Sequence, residues 1–391
     1  MVFNMKNLAL FILGICMSIG AFLLSTPAYA ANVITDDISI VKARVISVET
    51  LPETTLPGFD RPTDSQNITV EIIDGPDTGL QTTFTNDYIQ LKKGDVFYLN
   101  HITNAYDSTS YHSVQDPYRL PLLIVFALVF VALVVWIGGK QGIRALIALA
   151  GSFAAIFYIL IPSVLGGYSP VAVAIFVASL IIILGSYITH GFNRTTTTAV
   201  FGMIITIVLT GGLAYVAMNL GKFTGYASED SVYLYMNSRG SIDMLGLLTA
   251  GIIIGLLGVL YDTAIAQAII VEELHHIAPH VPRKEIFSRS MRVGREHIGA
   301  TVDTLALAYA GASLPLLLLF AMPPVHVGLT ANKEIFASEI MRILIGSIGL
   351  IITVPITTFI AVRMLVRPAK NVSTEVIEKE LRAIAEHKHS H

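Results

Sequence analysis

From residue 119 onward the chain alternates long apolar runs with short polar breaks. Runs of roughly 18 to 25 residues can cross a hydrocarbon core about 30 Å thick as helices. Seven spans are predicted, at 120–138, 143–161, 170–188, 199–220, 242–261, 298–320 and 340–362. The stretch before them has a different period. Val41, Ala43 and Val45 alternate with Lys42 and Arg44, Ile68, Val70 and Ile72 alternate with Thr69 and Glu71, and Val96–Leu99 forms a third candidate strand. Turn signals at 74–79 and 92–95 separate these runs. Residues 31–118 are therefore predicted to form a small OB-like β-domain. Phe84, Tyr88, Phe97 and Tyr98 are read as core rather than as a ligand platform, because so small a module needs its rings inside.

At the start of the chain, Lys6 precedes an apolar stretch from Leu8 to Leu24, and Ala28-Tyr29-Ala30 places small residues where signal peptidase needs them. Residues 1–30 read as an export signal cleaved after Ala30, with an uncleaved anchor as the other reading. Both put 31–118 outside the cytosol. Cys16, the only cysteine, falls in that segment, so the mature chain would have no thiol for a disulfide or a metal. The fold class is mainly α: a polytopic seven-helix transmembrane bundle over 119–366, a small N-terminal extracytoplasmic β-domain, and a cytoplasmic amphipathic tail over 367–391 carrying Ile377, Leu381, Ile384 and Ala385 on one stripe.

Composition and charge sharpen this. Only 14% of the 391 residues are charged, against roughly 25% in an average globular domain, and the mean hydropathy is +0.67. A net charge of -3 gives no electrostatic case for a nucleic-acid partner. With the β-domain outside, the cytosolic segments carry Lys140, Arg144, Arg194, Arg283, Lys284, Arg289, Arg292, Arg295, Arg363 and Arg367, whereas the outer loops carry Lys222, Arg239 and Lys333. That bias agrees with the export signal. In the long basic loop, Phe287, Met291 and Ile298 recur at helical spacing, which predicts a helix lying on the anionic inner leaflet.

Ionisable groups inside spans are costly unless they face protein or water, so each is a candidate site. Asp262 ends the fifth predicted span and Asp303 lies about one turn into the sixth, beside Thr301 and Thr304. The two spans are consecutive and antiparallel, so both carboxylates fall near one cytosolic depth and could share a proton or cation, with Gln267 on the same helix as Asp262. The competing reading pairs them with Arg292 or Arg295 in the interface. Pro315 and Pro355 would break the last two spans and free carbonyls for ion binding, or merely kink them. Gly251, Gly255 and Gly258 form a small-residue face suited to close helix packing. Glu272 with His275, and Glu296 with His297, could ligate a divalent metal, since a Glu-x-x-His pair puts both groups on one helical face. A solvated helix end is the plainer reading. His387, His389 and His391 add only incidental metal affinity. No phosphate-binding loop or nucleophile elbow occurs, and no catalytic motif is found.

Three stretches carry a resemblance: Tyr261-Asp262-Thr263-Ala264-Ile265-Ala266-Gln267 through Glu272-Glu273-Leu274, then Arg292-Val293-Gly294-Arg295-Glu296-His297-Ile298-Gly299-Ala300-Thr301, and Tyr309-Ala310-Gly311-Ala312-Ser313-Leu314-Pro315. Together they resemble the YibE/F family of bacterial multi-span proteins, in its longer form with an exported module. The resemblance implies a helical domain in the bacterial cytoplasmic membrane and transfers no catalytic or binding residue. Two readings of activity follow. In one the chain is a secondary transporter or permease coupling a small solute to a proton or cation through Asp303 and Asp262. In the other it is a membrane-anchored sensor or assembly factor whose β-domain binds an envelope partner. An intramembrane metalloenzyme using Glu272, His275, Glu296 and His297 is a third.

Overall fold

The computed structural model describes residues 37–51, 65–103, 110–322 and 326–366. The predicted export signal and amphipathic tail lie outside these residues. The chain divides into two units, one ending at Ile137 and the other running on from Gly138, and each is described by itself.

In the first unit five strands, β1 (Asp37–Thr50), β2 (Gln66–Ile72), β3 (Gln81–Asn86), β4 (Val96–Thr103) and β5 (Ser110–Pro117), form one antiparallel sheet in the order β3-β2-β1-β4-β5. β1 is long enough to serve two partners, its first half pairing with β4 and its second with β2. A bulge between Val45 and Ser47 inserts a residue, so Val48 rather than Ser47 turns toward the core. The inner face buries Val41, Ala43, Val45, Ile68, Val70, Ile72, Leu91, Phe97 and Leu99. Gln66 ties the following loop to this core, its amide donating to Leu91 O (3.1 Å) and accepting from Leu91 N (2.8 Å). Of the four aromatic residues expected inside, only Phe97 is fully buried. Phe84 packs partly against the core, while Tyr98 turns out to meet Tyr118 edge-on and Tyr88 is 63% exposed. Tyr88 follows β3 in a loop, where no strand pairing turns it inward.

The second unit is helical. A helical run of 46 residues, Leu120–Leu165, whose residues 120–137 belong to the first unit, comprises α1 (Leu120–Ala155), a wide π turn over Ile156–Leu160 and α2 (Ile161–Leu165). The π turn precedes Pro162, which has no N–H to offer the turn before it. Then come α3 (Pro170–His190), α4 (Arg194–Leu220), α5 (Glu229–Asn237), α6 (Met244–Ile277), α7 (Arg283–Ala312), α8 (Leu314–Ala321), α9 (Val327–Asn332) and α10 (Glu334–Leu365). Side chains set several starts: Asn193 accepts from Thr196 N, Asp243 from Gly246 N, and Ser228 and Ser231 form a reciprocal cap on α5.

Five helices are long and apolar enough to span a membrane, or six if α7 and α8, bent by 75°, count as one broken span. The predicted seven differ because 120–138 and 143–161 lie in one helical run, interrupted only at Gly139 (φ 52°, ψ -133°). The predicted basic loop also differs. α6 runs on to Ile277, the link covers only 278–282, and α7 carries the basic segment as a direct extension of its apolar half. Its apolar stripe packs on protein: Ile286 is buried with Val271, Ala361, Val362 and Val366, and Phe287 lies against that cluster.

α4, α6 and α10 pack against one another, with α3 against α4 and α6, and α7 against α6 and α10. The core joins Ile182, Met203, Ile207, Ile252, Leu256, Leu260 and Ile345. Some buried threonines satisfy their hydroxyls within their own helices, as in Thr206 to Gly202 O and Thr353 to Gly349 O. The close-packing glycines are not those expected. Gly251 and Gly258 face open space and Gly255 meets only the Tyr309 hydroxyl, whereas Gly202 lies against Thr357, Gly349 against Thr210, and Gly294 against Val354 and Gln267.

Candidate functional site

Asp262 lies just past the middle of α6, the first charged residue of that helix. The end of α3 and the middle of α7 meet it there. His190, in the last turn of α3, and His297 on α7 are both within electrostatic reach of the Asp262 carboxylate. Tyr261 adds a phenol beside Ser186 and Thr189 of α3, with its ring 6.0 Å from that of His190. His297 Nε2 is buried and meets no hydrogen-bond partner among the described residues. No arginine pairs with Asp262 there either. A carboxylate between two imidazoles can hold a proton or a small cation. His190 gave no sequence signal, since a single histidine at a helix end is unremarkable.

Asp303 lies elsewhere on α7. The inward stripe runs through Ser290, Gly294, His297, Thr301 and Leu305, while Asp303 and Thr304 fall on the exposed face with Leu307. Thr301 and Thr304 give their hydroxyl hydrogens to their own helix, at His297 O (2.8 Å) and Ala300 O (2.9 Å). Gln267 is buried, its amide donating to Ser290 O of α7 (3.0 Å) and Thr358 Oγ1 of α10 (2.7 Å). It pins α6, α7 and α10 together.

Among the described residues no three His, Cys, Asp or Glu side chains come together as metal ligands. Glu272, His275, Glu296 and His297 therefore do not assemble into one centre. Glu296 is exposed while His297 faces inward, as adjacent residues about 100° apart on a helix must be. The prolines also act differently from expectation. Pro315 occupies the first turn of α8, where its missing N–H costs nothing, and the bend is at Ser313. α10 runs through Pro355 without interruption.

A second polar group sits at the other end of the α7–α10 contact. Arg342 and Glu339 of α10 form an ion pair (3.3 Å), with side chains 29% and 25% exposed. Ser313, at the α7 bend, bonds Glu339 (3.4 Å), and the Arg342 guanidinium lies 5.9 Å from the centre of the Tyr309 ring. Arg342 Nε is buried without a partner. The i, i+3 charge pair at the edge of an apolar run was the available signal, but Glu339 falls just outside the predicted span.

No curated protein and no solved structure matches this chain. The family profile described as YibE/F-like protein matches residues 126–367, more than half of the chain, and covers the α3–α6–α7 cluster. With its apolar helices and that match, the chain is a multi-span membrane protein that belongs to the YibE/F family.

Proposed function

We propose that the chain is a secondary transporter that couples movement of a small solute to a proton or cation. The observation that carries this reading is the placement of Asp262, a carboxylate within a long apolar helix that lies in electrostatic reach of both His190 and His297 and has no arginine partner among the described residues. Such a group is expensive in a membrane protein unless a mobile charge visits it. Asp303 is kept in this proposal as a second carboxylate for the coupling ion, reached on the exposed face of α7 and not on the inward stripe that carries His297. It stands six residues beyond His297 on α7, about 9 Å along the axis. The Arg342–Glu339 pair, beside the bend at Ser313, would act as the gate at the opposite end. Flux in proteoliposomes under an imposed proton or sodium gradient tests the reading. Asp262→Asn should abolish coupled uptake while the protein stays folded, and unchanged uptake refutes it.

The topology belongs to the same proposal. A straight 46-residue helix would be about 69 Å long, more than twice the hydrocarbon core, so the Leu120–Leu165 run is read as two crossings divided at Gly139. With the bent α7–α8 pair this gives seven crossings in the bacterial cytoplasmic membrane, the β-unit outside and the C-terminus inside. For the β-unit we infer an OB-like barrel, supported by its strand order, its shared β1 and the 6.2 Å approach of the Phe84 ring of β3 to the His112 ring of β5. A second reading, a sensor or assembly factor binding an envelope partner, draws support from Ile40 and Tyr111, 58% and 60% exposed on that unit.

A further inference from the structure

The β-unit holds a pair of histidines that the transport reading does not use. His101 on β4 and His112 on β5 are register partners across an antiparallel pair, so their side chains leave the same face of the sheet. They extend the inward rows Phe97-Leu99-His101 and His112-Val114. His101 Nδ1 and His112 Nε2 stand 2.9 Å apart, the rings meet edge-on at 4.7 Å, and the Phe84 ring backs His112. Two imidazole nitrogens thus point at each other from rigid strands, with the aromatic ring fixing one of them.

We propose that His101 Nδ1 and His112 Nε2 form a two-imidazole binding site for a borderline transition-metal dication, with Cu(II) the tightest member of the class. Imidazole selects such ions over Mg²⁺ and Ca²⁺, which require oxygen ligands. The spacing is close to what coordination needs. Cis nitrogens about 2.0 Å from a square-planar Cu(II) stand about 2.8 Å apart, and those about 2.0 to 2.1 Å from a tetrahedral Zn(II) about 3.3 Å apart, so the observed 2.9 Å changes by at most a few tenths of an ångström while the rings turn to aim both lone pairs at one ion. Proton bookkeeping is neutral: the hydrogen now shared between the rings moves to a far nitrogen, leaving His101 protonated at Nε2 and His112 at Nδ1, and both facing lone pairs bind the ion. Water fills the remaining positions. Because the pair lies outside the helical unit, this inference stands or falls independently of transport.

The test uses the full chain in detergent with His387, His389 and His391 replaced by Asn, which removes the adventitious tail ligands. Titrated with Cu(II), this protein should take up a single equivalent, with an electron paramagnetic resonance spectrum showing coupling to two nitrogens. His101→Ala and His112→Ala should each lose that equivalent while circular dichroism stays native. Cu(II) should also protect both rings of the unsubstituted pair from diethyl pyrocarbonate, read residue by residue by mass spectrometry, a measurement that needs no variant to fold. Equal uptake by all three proteins, or modification of both rings at the same rate with and without Cu(II), would overturn the proposal.

Discussion

Gly202 of α4 lies directly against the Thr357 side chain of α10, so that a Cβ at 202 would run into the threonine hydroxyl and its Cα. About two turns further on the roles reverse, and Gly349 of α10 receives Thr210 of α4. The two helices approach so closely because each contributes a glycine where the other contributes a threonine. Gly202→Ala should therefore overpack the contact and cost about 1–3 kcal/mol. Thermal unfolding in detergent checks this, and Gly251→Ala, which meets open space, should leave the midpoint unchanged.

Gln267 is the polar rivet between α6, α7 and α10. Gln267→Leu removes the donor to Ser290 O and Thr358 Oγ1 and leaves the buried Ser290 carbonyl without that amide. A loss of about 1–3 kcal/mol is expected. If Gln267 belonged instead to an ion path, the same variant would lose flux at unchanged stability, so measuring both separates the two roles.

The Arg342–Glu339 pair lies between the surface and buried limits. Exposed pairs contribute about 0–1 kcal/mol, whereas breaking a fully buried pair costs about 3–5 kcal/mol. Glu339→Gln should fall between, at about 1–3 kcal/mol, and should also release Ser313 at the α7 bend. Hydrogen exchange at 309–317 should rise in that variant, and Glu339→Gln combined with Arg342→Met should recover part of the stability.

In the β-unit, Lys42 is held above its ordinary pKa of 10.5, first by its hydrogen bond to Asp74 and then by the Tyr118 phenol. Folding therefore favours the charged form. The stabilisation is complete below 10.5 and is lost as the pH rises through the higher folded value. Lys42→Met should unfold at a lower temperature than the parent below that pH, and the gap should close above it.

How much of this was legible in the sequence depended on whether period or register carried the information. β2 announces itself by strict alternation from Ile68 to Ile72, and β4 by Phe97 and Leu99. β5, Ser110–Pro117, has only Val114 as an inward aliphatic residue, so neither the strand nor the facing of His101 and His112 could be read without the hairpin register. Asp262 was marked by its position at the end of an apolar run. Its partners His190 and His297 come from helices far apart in sequence and became visible only through packing. Asp303 shows the limit of the method: depth along a helix follows from counting residues, but the direction a side chain faces depends on which stripe the neighbours bury, and here that stripe passes through Thr301 and Leu305.

The overrun of α6 and α7 past their apolar halves has a mechanical consequence. At 34 and 30 residues they are about 51 and 45 Å long, well beyond a hydrocarbon slab of about 30 Å. Several turns stand clear of the lipid as a stiff mast, strapped at its tip by the Arg283 guanidinium to Val366 O. A small change of tilt along the apolar halves is magnified at the crown of that mast, because a rigid lever turns an angle into a displacement that grows with its length.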